Sequence, residues 1–420
     1  VQRLERPTRG SDGRVTHGGL AHDNGPRDAG RRCGARTRSR GRHLVTLAQA
    51  GSGWREFDHH VARRTDGAVS SSVKTKRPIA IEEIVNDVRA RGDVAVAEWS
   101  RLFDATTADR PERAVAYGDI PTAAVLAAAD AVRTWHAAQR PADLMMEVSP
   151  GVTLERRWTP IRSVGIYVPK GLVSSLIMSV VPAQVAGVER IVVCTPPNGA
   201  AAVAATAALL GIDEVWAVGG AQAIAAMAYG TESIAPVDKI FGPGSGAVNT
   251  AKLLVSRDVA IDLPAGPSEI VVVADAGVDE ALIAQEIAAQ MEHGPDSRGY
   301  VVRVGDDLEA ALEEIEGYAA EHVALLGERA ESLAGRIRNA GAVFVGPYSP
   351  VPAGDYATGG NHVLPTGGWA KSTGGLGLEA FMKTVTVQRV TKEGLERLAP
   401  TIEALAELEG MSAHKATARR

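Results

Sequence analysis

The sequence predicts an α/β fold built on parallel sheets. Three features carry that expectation: short, continuously apolar runs, Ala-rich helical stretches alternating with them, and Gly or Pro at many of the junctions. Strands that are apolar throughout belong in sheets covered on both faces, and strand–helix alternation makes those sheets parallel. The strand runs are Val164–Val168, Ile191–Cys194, Glu214–Val218, Val237–Phe241, Val259–Leu263, Ile270–Ala274, Tyr300–Val304 and Val343–Val345. Helical runs lie at Leu176–Val185, Ala201–Leu210, Gln222–Ala228, Val248–Val255 and Leu282–Met291. Eight strands fit either one barrel or two doubly wound halves, and the turns do not decide between them.

The flanking segments read differently. Residues 1–45 hold 11 Arg, no Lys and 4 acidic residues, and the first 43 residues contain eight Gly. With almost no large aliphatic side chains, this stretch has nothing to bury, so residues 1–60 are expected to be a disordered Arg/Gly-rich tail. It has neither a signal-peptide core nor the apolar face of a transit peptide, which predicts a cytoplasmic protein. From Pro78 onward Ile79, Ile81, Ile84 and Val88, then Val94, Ala95 and Trp99, follow helical spacing with a break at Gly92. Val125–Gln139 repeats that pattern, so residues 61–160 are expected to be an N-terminal helical segment.

Composition narrows the function classes. Of 420 residues, 45% are hydrophobic and 23% charged, which argues against wholesale disorder, and two Cys exclude a disulfide scaffold. No apolar run approaches the ~18 residues of a membrane span. Beyond residue 45 there are 34 basic against 46 acidic groups, a net of −12. So acidic a body is a poor partner for nucleic acid; a small-molecule substrate is expected instead. Phe241-Gly242-Pro243-Gly244-Ser245-Gly246 follows a strand and precedes a helix, which suits an anion, yet it is not G-x-G-x-x-G. A tight structural turn explains it equally well.

Histidines carry more information. Of ten, His293, His322, His362 and His414 lie in the C-terminal third, each in an unusual polar run. Gln290 and His293 stand three apart at a helix end, hence on one face. With Asp355 and a further His they offer the N/O donors of a zinc site with exchangeable positions. One such His alone reads as a satisfied polar residue; four such runs together do not. The Glu321-His322 pair suits two tasks, a neutral imidazole taking an alcohol proton and a carboxylate activating water. A surface ion pair at a strand start is the plainer alternative, and spacing leaves both open.

Taken in order, several runs resemble the histidinol dehydrogenase family: Gly165-Ile166-Tyr167-Val168-Pro169, Val218-Gly219-Gly220-Ala221-Gln222-Ala223, Ala265-Gly266-Pro267-Ser268-Glu269, Gln290 through Asp296, Glu321-His322, Gly354 to Thr366, Glu409-Gly410 and Ala413-His414-Lys415. The resemblance extends from Ile79 to His414. It implies a zinc- and NAD-dependent enzyme that oxidises L-histidinol through the aldehyde to L-histidine with two NAD. By the same resemblance Gln290, His293, Asp355 and His414 are zinc ligands, His322 is the base for the alcohol, and Glu321 activates water. Ser268, His362 and Glu409 fall at substrate positions, Tyr167 and Gln222 at the cofactor.

The implied architecture is two Rossmann-like doubly wound domains with small appended helical segments. Residues 161–268 would form the first, on the cofactor side, and 269–375 the second, with the zinc and catalytic residues. Residues 376–420 would be a C-terminal helical segment reaching the partner of a homodimer with shared active sites. Three positions depart from the family pattern: Lys170 where Gly is usual, Ser245 where Asn is usual, and Ala320 where Pro is common. They keep two other readings in view. One is a paralogous zinc/NAD dehydrogenase of another small polar alcohol, such as a sulfonated propanediol. The other is a non-catalytic zinc-binding pseudoenzyme, against which Glu321 and His322 speak.

Overall fold

The computed structural model describes residues 79–264 and 266–419, together with the backbone of Thr46–Gln49 and Trp54–Phe57, which pair as an antiparallel ribbon. The rest of the expected disordered tail lies outside the described residues. None of the described helices is long and apolar enough to cross a membrane.

Two open parallel sheets decide between the barrel and the doubly wound halves, in favour of the latter. The first runs Val215–Trp216, Arg190–Cys194, Ser163–Tyr167, Lys239–Phe241, Ala260–Ile261 across the sheet. In chain order that is 3-2-1-4-5, so the winding reverses between Ser163–Tyr167 and Lys239–Phe241. Open α/β sheets hold ligands at such a reversal, outside the carboxyl ends of the strands.

Strand alternation sorts the apolar side chains onto two faces. Val164, Ile166 and Val193 pack with helices Thr122–Ala137, Val173–Ala186 and Ala200–Leu209. Tyr167, Val192 and Cys194 pack with Gly220–Tyr229 and Gly246–Val255, and with Ile81–Arg91 and Asp93–Asp104. The N-terminal helices therefore complete the cover of this sheet.

The second sheet runs Arg298–Val304, Glu269–Asp275, His322–Leu326, Ala342–Val345, all parallel. Its chain order is 2-1-3-4, with the reversal between Glu269–Asp275 and His322–Leu326. The strand His322–Leu326 is not among the eight expected. Ala324, Leu325 and Leu326 favour helix by propensity, and only burial of all five residues makes the run a strand.

A further element departs from expectation. Met382–Val390, Val152–Pro160 and Leu144–Ser149 form a three-stranded antiparallel sheet. Residues 61–160 and 376–420 are thus not helical throughout. Thr153, Glu155, Arg156 and Arg157 interrupt any apolar run, and most of this sheet is exposed or half-buried. The hydrophobic signal that announces the other strands is absent there.

Seven residues separate strand Ala260–Ile261 from Glu269. This short crossover joins the carboxyl edge of the first sheet to the amino edge of the second. It is stapled by a buried ion pair between Lys252 and Asp262. Lys252 Nζ also donates to the carbonyls of Gly242, at 2.9 Å, and Leu263, at 3.2 Å, while Asp262 accepts the Gly242 N–H at 2.7 Å. Gly242 has φ +114°, and a Cβ there would overlap the Tyr167 carbonyl, so only glycine closes this turn. Lys252→Met leaves a buried carboxylate without its cation and is expected to cost about 3–5 kcal/mol. The companion Lys252→Met/Asp262→Leu is expected to recover part of that loss in denaturant unfolding. A single variant as stable as the wild type would show that the pair contributes nothing.

Candidate active site

The amino edge of the second sheet gathers the expected catalytic side chains. Helix Leu308–Tyr318 ends at Ala319, φ +48°, and the chain turns through buried Ala320 into Glu321 and His322 at the start of their strand. Pairing with Ala342 fixes the register, through the Ala342 N–H to the Glu321 carbonyl at 2.9 Å. The Glu321 carboxylate accepts the Glu269 N–H at 3.0 Å and lies 3.5 Å from the donor Gln290 Nε2. Burial pushes this carboxyl up from 4.5 to about 8, although the Glu269 amide and the Ser268 hydroxyl favour its charge. His322 Nδ1 is 3.6 Å from Glu321 Oε2. Both ring nitrogens are buried without a hydrogen-bond partner. Burial, with His293 adding to it, pulls this imidazole down from 6.5 to about 3. Near neutral pH, His322 is thus an uncharged base with nothing yet to accept from.

These opposed shifts predict a pH signature in chelated protein. His322 favours the fold above 6.5 and loses that contribution as pH falls toward about 3. Glu321 favours the fold below 4.5 and loses its contribution as pH rises toward about 8. Between 4.5 and 6.5 the two slopes oppose each other. Compared with Glu321→Gln/His322→Phe, the wild-type melting temperature should be level across that window and decline on both sides. A difference that grows between pH 6.5 and 8 would contradict this account.

Around this pair the chain assembles further N and O donors. Helix Glu280–Met291 delivers Gln290, 1% exposed, whose Oε1 is buried without a partner. One turn onward His293 is exposed at the helix end, with Nδ1 3.3 Å from the Gln290 carbonyl. Its imidazole acts electrostatically on His322, Asp355 and His362. Asp355 is buried, and burial raises its carboxyl; His362 Nδ1 lies 3.0 Å from the Asp355 carbonyl and 3.9 Å from its carboxylate. Among the described residues no three His, Cys, Asp or Glu side chains form a ready-made metal cage. The donors that do converge suit an oxygen- and nitrogen-bound divalent cation, and the orphaned Gln290 Oε1 is the acceptor such an ion would satisfy.

Several supporting residues escape sequence reasoning. Ser175, on helix Val173–Ala186, lies 3.4 Å from His362 Nε2. Asn361 fixes the same loop by donating to the Met178 carbonyl at 2.7 Å, and its amide lies 3.3 Å from His136 Nε2. His136 is wholly buried, with Nδ1 2.7 Å from the Val132 carbonyl, so it is a structural brace. Glu269 is buried and accepts the Gly367 N–H at 2.6 Å, tying the loop beyond His362 to the strand beside Glu321. A buried serine in an otherwise ordinary apolar helix gives no sequence signal, and Glu269, though it closes one of the runs that carry the resemblance, shows its part only through burial and its partners.

The expected cofactor residues lie together at the carboxyl edge of the first sheet. Tyr167 is buried, burial pushes its hydroxyl up to about 12, and its oxygen accepts the Gly220 N–H at 3.2 Å. Gln222 is 1% exposed and donates through Nε2 to Asp104 Oδ2 at 3.2 Å. By contrast, Glu409 and His414 are exposed on the C-terminal helices and are not brought to the other donors within one chain.

Comparison with known proteins bears on this arrangement. A family model described as histidinol dehydrogenase matches residues 69–307 and 298–420. The chain belongs to the histidinol dehydrogenase family. Histidinol dehydrogenase of Methanothermobacter thermautotrophicus is 41% identical over 81% of this chain and 92% of its own. That of Methanosarcina mazei is 39% identical over 80% of this chain and 89% of its own. A histidine biosynthesis bifunctional protein of Photorhabdus laumondii is 39% identical over 89% of this chain, which spans only 52% of that longer protein. Among solved structures, histidinol dehydrogenase from Elizabethkingia anophelis superposes with a TM-score of 0.75 at 34% identity, covering 80% of this chain and 90% of its own. This member of the histidinol dehydrogenase family is therefore an oxidoreductase. Its Lys170 is exposed with φ +33°, a backbone region that favours glycine.

Proposed function

We propose that this protein oxidises L-histidinol through the aldehyde to L-histidine, using two NAD, in histidine biosynthesis. The observation that carries this reading is buried His322, both ring nitrogens without a partner, set against buried Glu321, with Gln290 at hydrogen-bond reach of Glu321 and His293 and Asp355 near enough to act on the pair electrostatically. Zinc would be held by Gln290, His293 and Asp355 with His414 of a second copy, and NAD by Tyr167 and Gln222. When bound, zinc fixes the substrate's orientation and NAD takes up one hydride in each oxidation.

This chain's residues then move the protons. His322 accepts the hydroxyl proton as the carbon loses hydride, which leaves the aldehyde. Glu321 in its ionised form takes a proton from water as hydroxide adds to the aldehyde carbon. The hydrate formed has the carbon–hydrogen bond that the second oxidation breaks, leaving the carboxylate. Ser268 and His362 line the same mouth as substrate contacts, and Glu409 would join them across the interface. A homodimer accounts for two otherwise idle groups, exposed Glu409 and His414. It also gives a cover to the exposed apolar Leu144, Met145, Met146 and Val148 and to Leu405, Leu408 and Met411. Residues 161–268 and 269–375 serve in this scheme as the cofactor and catalytic domains.

The deciding experiment is NADH formation by zinc-loaded protein with L-histidinol, set against sulfonated and simple propanediols. Two NADH per histidinol is the expected result. Turnover of a diol without turnover of histidinol would keep the chemistry and overturn the substrate.

A further inference from the structure

On the reading that NAD is the oxidant, we infer that Asp104 recognises the adenosine-ribose diol of the dinucleotide and sets the preference for NAD over NADP. Dinucleotide folds with the usual fingerprint place an acidic side chain after the second strand to accept from the ribose 2′-hydroxyl. Here that strand, Arg190–Cys194, runs into Thr195-Pro196-Pro197-Asn198, which holds no acid. A carboxylate reaches the same edge from elsewhere. Asp104 is the last residue of helix Asp93–Asp104, half-buried, with Oδ2 3.2 Å from Gln222 Nε2 and the Gly219 amide beside it.

A second observation at the same spot points to a ligand. Gln222 spends its amide hydrogens on Asp104, while its Oε1 lies against Gly220, buried and without a donor. An orphaned buried acceptor next to a carboxylate is a site for a group that donates two hydrogen bonds, as a vicinal diol does. The topology says which ribose it is. Glu321 and His322 follow the crossover that leaves edge strand Ala260–Ile261, so the nicotinamide must face that side of the reversal. Asp104 lies beside the Gly219 amide, and Gly219 packs on Pro196 just past the second strand, on the far side of Ser163–Tyr167 from that crossover, which leaves Asp104 and Gln222 the adenosine half. Asp104 accepts from Gln222 and from the Gly219 amide, neither of them cationic. A 2′-phosphate would therefore meet a carboxylate with no compensating charge.

The test is equilibrium binding of NADH and of NADPH to zinc-loaded full-length protein, followed by energy transfer from tryptophan to the nucleotide. Wild type is expected to bind NADH far more tightly than NADPH. Asp104→Asn keeps the volume and a hydrogen-bond acceptor while removing the charge. It should weaken NADH about tenfold or more and leave NADPH unchanged or tighter, so that the ratio of the two affinities collapses. Asp104→Ser is expected to collapse the ratio in the same way, and supplies the measurement should the amide variant fail to fold. Equal weakening of both nucleotides would make Asp104 a structural prop for Gln222 and overturn the inference, as would an unchanged ratio. A wild-type protein that binds neither nucleotide would instead overturn the NAD reading beneath it.

Discussion

Replacing Glu321 with Gln should stop the reaction at the aldehyde. The amide keeps the volume and an oxygen to accept the Glu269 N–H, now 3.0 Å from the carboxylate, so the strand pairing around it should survive. What it cannot do is take a proton from water. General-base assistance is worth about 10²–10⁴-fold, and the second oxidation should slow by a factor in that range. In the proposed scheme the first hydride transfer uses His322 instead, and it should persist. Stoichiometry is the readout: close to one NADH per histidinol, with the aldehyde recovered by a carbonyl-trapping amine. Two NADH at the wild-type rate would assign water activation to another group.

Comparably large is the expected effect of His293→Ala. This side chain is exposed, so its removal costs little packing, and unfolding should stay cooperative near the wild-type midpoint. Changes even to outer-shell partners cost about 10–100-fold in metal affinity; loss of a direct ligand should cost at least as much. Zinc content after dialysis should fall and turnover with it, and added zinc should restore turnover only at raised concentration. Undiminished zinc at full occupancy would mean that His293 is not a ligand. Chelation of the wild type should reproduce the loss of turnover while leaving both sheets folded, because the donors sit on helix ends and loops.

Much of the frame was legible because burial writes itself into sequence. Val164, Ile166, Val192 and Val193 sit in runs with no polar side, and such runs have no stable place except a doubly covered sheet. Where strands face water, as at Thr153–Arg157, that signal vanishes. The site divides in the same way. Gln290 and His293 share a helix face by spacing alone, and Glu321-His322 is unusual enough to notice. Nothing local, however, says that Asp355 and His362 come back to the same mouth, since that follows from the order of the second sheet. Ser175, Glu269 and Asp104 are ordinary residues whose meaning comes from burial and from what they touch. His414 stands out only as one of four histidine runs and Glu409 only through the resemblance, and both are exposed on the C-terminal segment.

That the two sheets meet carboxyl edge to amino edge divides the labour electrically. Peptide dipoles add along a helix to about half a positive charge at its N-terminus and half a negative charge at its C-terminus. At the carboxyl edge of the first sheet, helices Gly220–Tyr229 and Gly246–Val255 begin, so their positive ends favour an anion there. At the amino edge of the second, helices Glu280–Met291 and Leu308–Tyr318 finish, which puts their negative ends where the chain carries Gln290 and His293 and leads into Glu321. The backbone itself thus prepares one sheet edge for an anion and the other for a cation. Only seven residues of chain separate the two edges.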